Sequence, residues 1–432
     1  MKVIISAARA DHSYKTALAV QEAGILDRYY TQFYFKPQSF SGSLLISLSK
    51  KINGLNKLTA RLHSNRYMRG LEPQNVVSLS TPEFLGRAWR RIPWLQKLVA
   101  ANKISDNLFD LLVSRQINNC DIFHGWLGYS LHTLNRLNGD GTKILIDMYT
   151  AHPNFRKKIL SEEYERLNLN YQMPDHPLWK KYLKEIELAD HLITPSSHVY
   201  KTCVLQGVPS DKLTIIPFGV DIHRFKPTEK NDKIFRVIYV GAISINKGIY
   251  YLLEAFKQLH LPYSEMVLIG RLQPEFKPIL SRYDDLFKHI SHVPNDQLTH
   301  WYGNSSVFAF PSLSEGSALV TYEAMACGIP SIVTENSGSV VRDKEDGFVI
   351  PIRDIESLKD RILFFYNNEE KRKEMGKSAR KRAEQFTWER YGQKLIEFYE
   401  SIYDKQWKDN FSNQYHLPLP GADVQSTGSR IW

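Results

Sequence analysis

The sequence predicts an α/β protein built from two Rossmann-like, doubly wound parallel-sheet domains, and three observations carry that expectation. The chain has 432 residues, more than a single hydrophobic core comfortably serves. Short β-branched runs alternate with longer segments whose apolar residues recur at helical spacing, the pattern of βαβ units. A passage rich in Pro, Gly and charge, 212–232, precedes a fresh start at Phe235 and marks the seam between two such sheets.

In chain order the strand candidates are KVIIS at 2–6, KILID at 143–147, HLITP at 191–195, FRVIYV at 235–240, MVLI at 266–269, VFAF at 307–310 and SIVT at 331–334. Segments such as GIYYLLEAFKQL lie between them as helices. Near the end, Thr387 is placed as the N-cap of a last helix. Leu395, Ile396, Tyr399, Ile402 and Tyr403 form its apolar face at i, i+1, i+4, i+7 and i+8 spacing. The expected division is 1–212, 213–388, a C-terminal helix at 389–410 that returns to the first domain, and a loose tail at 411–432 without periodicity.

Composition narrows the function classes. Hydrophobic residues make up 43% and charged residues 24% of the chain, ordinary values for a globular protein. Three widely spaced cysteines, Cys120, Cys203 and Cys327, fit a reducing compartment better than a disulfide framework or zinc site. No apolar run reaches the ~18 residues of a membrane span. The opening MKVIISAARADHSYKT reads as a first buried strand rather than a secretory signal, so a cytoplasmic location is expected. Dinucleotide-fingerprint, phosphate-loop, zincin and nucleophile-elbow motifs are all missing, which argues against dehydrogenase, kinase, metalloprotease and serine hydrolase chemistry.

The net charge of +10 is uneven: residues 36–115 hold thirteen Lys or Arg against four Asp or Glu. Such a patch suits an anionic partner. Within it, GRAWRRIPWLQKL (86–98) interleaves Arg87, Arg90, Arg91 and Lys97 with Trp89, Trp94 and Leu95. That mixture fits peripheral contact with an anionic membrane, at its cytoplasmic face; the alternative is a solvated basic face packed through its tryptophans. No recognised nucleic-acid-binding fold accompanies it.

The chemistry concentrates in SLSEGSALVTYEAMACGIPSIVT, 312–334. Strand VFAF runs into a small-residue loop and then a helix ended by Gly328 and Pro330, at the carboxyl end of a parallel strand where open α/β sheets bind ligands. Gly316, Ser317 and Ala318 let a ligand approach the backbone, and a first helical turn favours an anion. Glu315 and Glu323 are suited to accept hydrogen bonds from two diols on either side of a diphosphate, the plan of a nucleotide sugar. The plain alternative makes Glu315 a helix-start acid stabilised by the dipole and Glu323 a solvated face residue.

EGSALVTYEAMACGIPSIV resembles the Glu-x7-Glu segment of the retaining GT-B glycosyltransferases of family 4. VIYVGAISINKGIYYLLEAF (237–256) and ADHLITPSSHVYKTCVLQGVPSDKLTIIPFGVDIHRFKP (189–227) resemble that family's first nucleotide-domain unit and its interdomain passage. The likeness covers about 189–400 well and 1–188 loosely. It implies a GT-B fold, with an acceptor-binding N-terminal domain and a nucleotide-sugar-binding C-terminal domain facing a central cleft. It also implies transfer of a sugar from a UDP- or GDP-sugar to a saccharide or lipid-linked acceptor, in cell-surface polysaccharide, lipopolysaccharide or glycolipid synthesis, without metal or cofactor.

By the same resemblance Glu315 meets the donor sugar and Glu323 the ribose. Gly241 and the backbone of Gly316, Ser317, Ala318, Leu319 and Val320 lie along the donor. Lys247 neutralises the departing diphosphate, and His152 reaches the sugar from the other domain. His124, read as following a short strand, is an acceptor-side candidate. Two departures stand out: Ala242 occupies the family's usual Arg position, with Arg271 as a substitute, and SAARADHSYKT replaces its Gly-Gly loop. The alternatives carried forward are a non-catalytic nucleotide-sugar-binding subunit and a sugar-nucleotide 2-epimerase of the same architecture.

Overall fold

Thirteen strands, all paired in parallel, form two sheets among the described residues. The computed structural model describes residues 1–9, 12–49, 66–89, 101–169 and 177–403, with 56, 59 and 62 besides. The first sheet contains β1 Val3–Ser6, β2 Leu26–Thr31, β3 Val76–Ser78, β4 Ile122–Trp126, β5 Lys143–Asp147, β6 His191–Thr194 and β7 Leu213–Ile215, in the order β3-β2-β1-β4-β5-β6-β7. The second contains β8 Phe235–Val240, β9 Ser264–Ile269, β10 Lys288–Ile290, β11 Val307–Phe310, β12 Ser331–Thr334 and β13 Gly347–Ile350, in the order β10-β9-β8-β11-β12-β13.

Burial explains why the central strands read as largely apolar runs, Arg236 in β8 being paired with Asp232 and Glu265. All six residues of β8 are buried, because helices cover both faces of a parallel sheet. In β1 the alternation survives as two cores: Val3 and Ile5 join one cluster and Ile4 the other, since successive strand residues point to opposite faces. β7 pairs with β6 in the first sheet, so the seam expected after 212 lies beyond 215. The three cysteines are buried and unbonded.

Three helices matter for the site's frame. α1 Ser13–Glu22 follows β1, and α2 Pro153–Arg166 follows β5. The C-terminal helix Trp388–Tyr403 packs Tyr391, Leu395, Phe398 and Tyr399 into the same first-domain cluster as Tyr14, Ala17 and Val20 of α1. Its start is capped by the Thr387 hydroxyl, which accepts from the Arg390 N–H at 3.3 Å. The face differs from the expected one at one position: Tyr403 is exposed, and Phe398 fills the core instead, because the helix is rotated toward the 391–395–398–399 stripe. Helix α2 leaves the first sheet but lays Ile159 into the second domain's core.

Among the described residues no helix is long and apolar enough to cross a membrane. Residues 90–100 of the basic segment, the side chains of Arg87 and Trp89, residues 404–410 and the tail at 411–432 lie outside the described residues.

Candidate functional site

In the second sheet the chain runs outward from β8 to β9 on one side, while β11 adjoins β8 on the other. The crevice at such a switch point is where doubly wound sheets bind ligands. The loops leaving β8 and β11 are stitched together there. Leu313 N–H donates to Asn246 O at 2.9 Å, and the Ser312 hydroxyl donates to the same oxygen at 3.0 Å. Asn246 Nδ2 donates to Ser314 O at 3.0 Å.

This stitching converges on Glu315. Its Oε1 accepts from Ser312 Oγ at 2.8 Å, from Asn246 Nδ2 at 3.1 Å and from Lys247 Nζ. Lys247 and Glu315 are each less than one-fifth exposed, so their pairing is stronger than a surface ion pair. Lys247 also stands 5.4 Å from the centre of the Phe310 ring. Its position depends on Gly248, which turns left-handed (φ +64°) into helix α3 Ile249–Leu259. A Cβ there would lie 2.0 Å from Pro311 O.

The other wall comes from the first domain. Tyr149, Thr150, Arg156, Leu160 and Tyr164 line a cleft of about 440 Å³ together with Ala242, Ser244, Asn246, Lys247, Gln273, Glu275, Ser314, Glu315 and Gly316. The loops touch where Gly316 passes: a Cβ on it would sit 2.0 Å from Tyr149 O, and its carbonyl accepts from Ser196 Oγ at 2.5 Å.

The expected residues fall into two groups. Glu315, Lys247 and Gly316 line the cleft. Gly241 sits at the end of β8 with φ +146° and donates its N–H to Ile269 O at 2.9 Å. Beyond Gly316 the loop turns inward: Ser317 Oγ bonds Tyr322 Oη at 2.9 Å and Gly338 O at 3.0 Å, and Ala318 N–H donates to Ser337 O at 3.2 Å. Leu319 and Val320, which open helix α4 Leu319–Ala326, pack against the first-domain and second-domain cores respectively. These four residues are not in the cleft lining.

Glu323 lies further along α4, partly buried and outside the lining. Tyr302 Oη donates to its Oε2 at 3.0 Å. Burial pushes its carboxyl up to about 7, against the opposing pull of the Tyr302 hydrogen bond and the Arg224 charge. His152 is the N-cap of α2, and its Nδ1 accepts from Asn154 N–H at 3.3 Å. That bond leaves the proton on Nε2, and burial lowers the imidazole to about 4; the ring is neutral beside the cleft rather than in its lining.

Two expectations are corrected. His124 does not face the cleft: it sits inside β4, fully buried, with Nδ1 2.6 Å from Tyr399 Oη and its ring stacked 4.7 Å from Trp126. The strand continues to Trp126 and points His124 at the C-terminal helix. Arg271 is exposed and outside the lining, with its carbonyl accepting from Ile243 N–H at 2.9 Å; the same loop reaches the cleft only further on, at Gln273 and Glu275. Sequence reading missed Arg156, Asn246, Ser312 and His198. His198, buried on helix Ser197–Leu205, feels the Glu315 charge, yet burial dominates and holds it down to about 4.

The comparisons agree with this arrangement. The profile "Glycosyl transferases group 1" matches residues 221–382, and "Glycosyltransferase Family 4" matches 60–224. Among curated proteins, the capsular polysaccharide biosynthesis glycosyltransferase CapM of Staphylococcus aureus is 32% identical over 41% of this chain and 54% of its own length. A D-inositol 3-phosphate glycosyltransferase of Kribbella flavida is 26% identical over 50% and 57%. The chain thus spans about half the length of the curated relatives it matches.

Among solved structures, sucrose-phosphate synthase of Thermosynechococcus elongatus superposes with TM-score 0.65 at 17% identity, covering 93% of this chain and 99% of that one. Anabaena HepE, solved in complex with UDP-glucose, gives TM-score 0.60 at 16% identity, covering 93% and 100%. These likenesses show the fold, the GT-B arrangement of two facing parallel-sheet domains.

Proposed function

Because the chain belongs to the family 4 glycosyltransferases, whose two profiles together run from residue 60 to 382, we propose that it is a retaining hexosyltransferase. It moves a sugar from a nucleotide-diphosphate sugar, with UDP- and GDP-sugars favoured, to a saccharide or lipid-linked acceptor. The products belong to cell-surface polysaccharide, lipopolysaccharide or glycolipid synthesis. The CapM likeness supports the polysaccharide class and the HepE complex supports a UDP-sugar. The single observation that carries the reading is the Lys247–Glu315 pair at the second sheet's switch point, opposite first-domain residues in one cleft.

In this reading Glu315 accepts hydrogen bonds from the donor sugar, and Lys247 turns its ammonium to the diphosphate as charge develops there. Neutral His152 offers its Nε2–H to the sugar. The anomeric C–O bond to the diphosphate breaks, and the acceptor oxygen bonds the same face of the anomeric carbon. The acceptor's proton passes to the departing diphosphate oxygen. The acceleration comes from preorganised charge, with no protein nucleophile, metal or cofactor in the scheme.

Incubation with a panel of UDP- and GDP-sugars, scored for nucleoside diphosphate release with and without saccharide acceptors, tests the proposal. Release that requires acceptor supports transfer. Binding without release identifies a non-catalytic subunit, and interconversion of donors without release identifies an epimerase; either outcome rejects the transferase. Glu315→Gln keeps the size but removes the charge that Lys247 and the sugar hydroxyls share, and is expected to lower turnover about 10–100-fold.

The basic first domain supports a peripheral location at the cytoplasmic face of the membrane, where a lipid-linked acceptor resides. Binding to vesicles containing anionic lipid at low salt, released at high salt, is the expected result; no sedimentation at low salt rejects the membrane contact. No nucleic-acid partner is part of the proposal.

A further inference from the structure

We propose that Arg156, reaching across from the first domain, supplies the second cation for the donor's diphosphate. The inference rests on the transferase reading and adds a residue to its donor site. Arg156, Leu160 and Tyr164 are spaced i, i+4, i+8 on α2 and form the face of that helix that lines the cleft. The helix is fixed against the second domain by Ile159 in its core and by the bonds of Glu163 to Tyr251 and Arg353, and it abuts the turn Ile245–Lys247. The guanidinium is thereby held on the same cavity as Ala242, Ser244 and Lys247.

Charge makes the assignment specific. Lys247 shares the lining with two carboxylates, Glu275 and Glu315, and is already paired with one of them. Without Arg156 the lining carries a net negative charge, and a diphosphate would enter against it. Arg156 is half-buried and, among the described residues, its guanidinium has no ion pair or hydrogen-bonded acceptor. A planar fork of donors with nothing to bind suits phosphate oxygens bidentately. In the same lining, position 242 is an alanine and brings no cation of its own.

Titration of UDP, GDP, uridine and guanosine into wild type, Arg156→Gln and Arg156→Ala by calorimetry tests the proposal. The nucleoside diphosphate that wild type binds is expected to bind both variants about 10–100-fold more weakly. Wild-type binding of that diphosphate should weaken with salt more steeply than variant binding, while the nucleoside's affinity stays unchanged. Unchanged Tm in Arg156→Gln separates lost contact from lost fold. Variants that bind the diphosphate like wild type overturn the Arg156 assignment alone, as does a defect confined to acceptor KM. A wild type that binds no nucleoside diphosphate overturns the transferase reading and this assignment together.

Discussion

Glu323→Ala is expected to weaken donor use by roughly 10²–10⁴-fold, the loss of two hydrogen bonds to a charged group at about 1.5–3 kcal/mol each. The residue is partly buried on α4 and its side chain holds one hydrogen bond, from Tyr302; the family resemblance assigns its remaining lone pairs to a pair of ribose hydroxyls. Burial has moved its carboxyl from 4.5 to about 7. A ligand that prefers the ionised form must displace that proton, so donor affinity should fall as pH drops through 7, by up to tenfold per unit. The stability linkage has the opposite direction. A raised folded-state value means that this group's contribution is fully present below about 4.5 and is lost as pH rises through about 7. Glu323→Gln should therefore flatten both profiles. Wild type should favour a nucleoside diphosphate over its 2′,3′-dideoxy analogue, and Glu323→Ala should not; a variant that still discriminates as wild type does would place the ribose elsewhere.

What could be read from the sequence, and what could not, follows from how local each signal is. Strands buried on both faces, such as β8 and β11, announce themselves because nearly every position is apolar, the one charge in β8, Arg236, being held by Asp232 and Glu265. The strands missed outright are β2, whose Asp27 and Arg28 break the run, the edge strands β3, β7 and β10 of three residues each, and β13, which opens on glycine. Edge strands are kept short to limit further pairing, and three or four residues such as VVS, LTI, KHI or GFVI are too few to show a pattern. The site divides in the same way. Glu315 stands out in the loop directly after β11 and Lys247 through the family resemblance, whereas Arg156 on α2 and Gln273 and Glu275 after β9 lie in segments that no motif singles out. His124 failed for a local reason: IFHGW has no alternation to set the strand's length, and two further residues carry β4 past the histidine.

Glu163→Ala is expected to destabilise the fold by about 3–5 kcal/mol, the range for removing one partner of a buried charge pair. Glu163 is fully buried where α2 meets the second domain. Its Oε1 accepts from Tyr251 Oη at 2.7 Å and its Oε2 from Arg353 Nε at 2.8 Å. Arg353 also donates to Ile159 O at 2.9 Å and to Glu162 at 3.0 Å, and it does so from a left-handed backbone, φ +65°. That conformation costs a non-glycine residue about 1–3 kcal/mol, so these bonds must outweigh it. The alanine variant strands the Tyr251 hydroxyl and half of the guanidinium fork in a buried interface. Glu163→Gln, which keeps an acceptor oxygen, should lose less. The second consequence is positional: α2 carries His152 at its N-cap and Arg156 one turn on, so a loosened helix should weaken nucleoside diphosphate binding as well as lower the Tm. Small-angle scattering should report a larger radius of gyration for Glu163→Ala as the domains part. A variant with wild-type Tm, scattering and binding would mean that the apolar contacts of Ile159 and its neighbours hold the domains together without the buried charge.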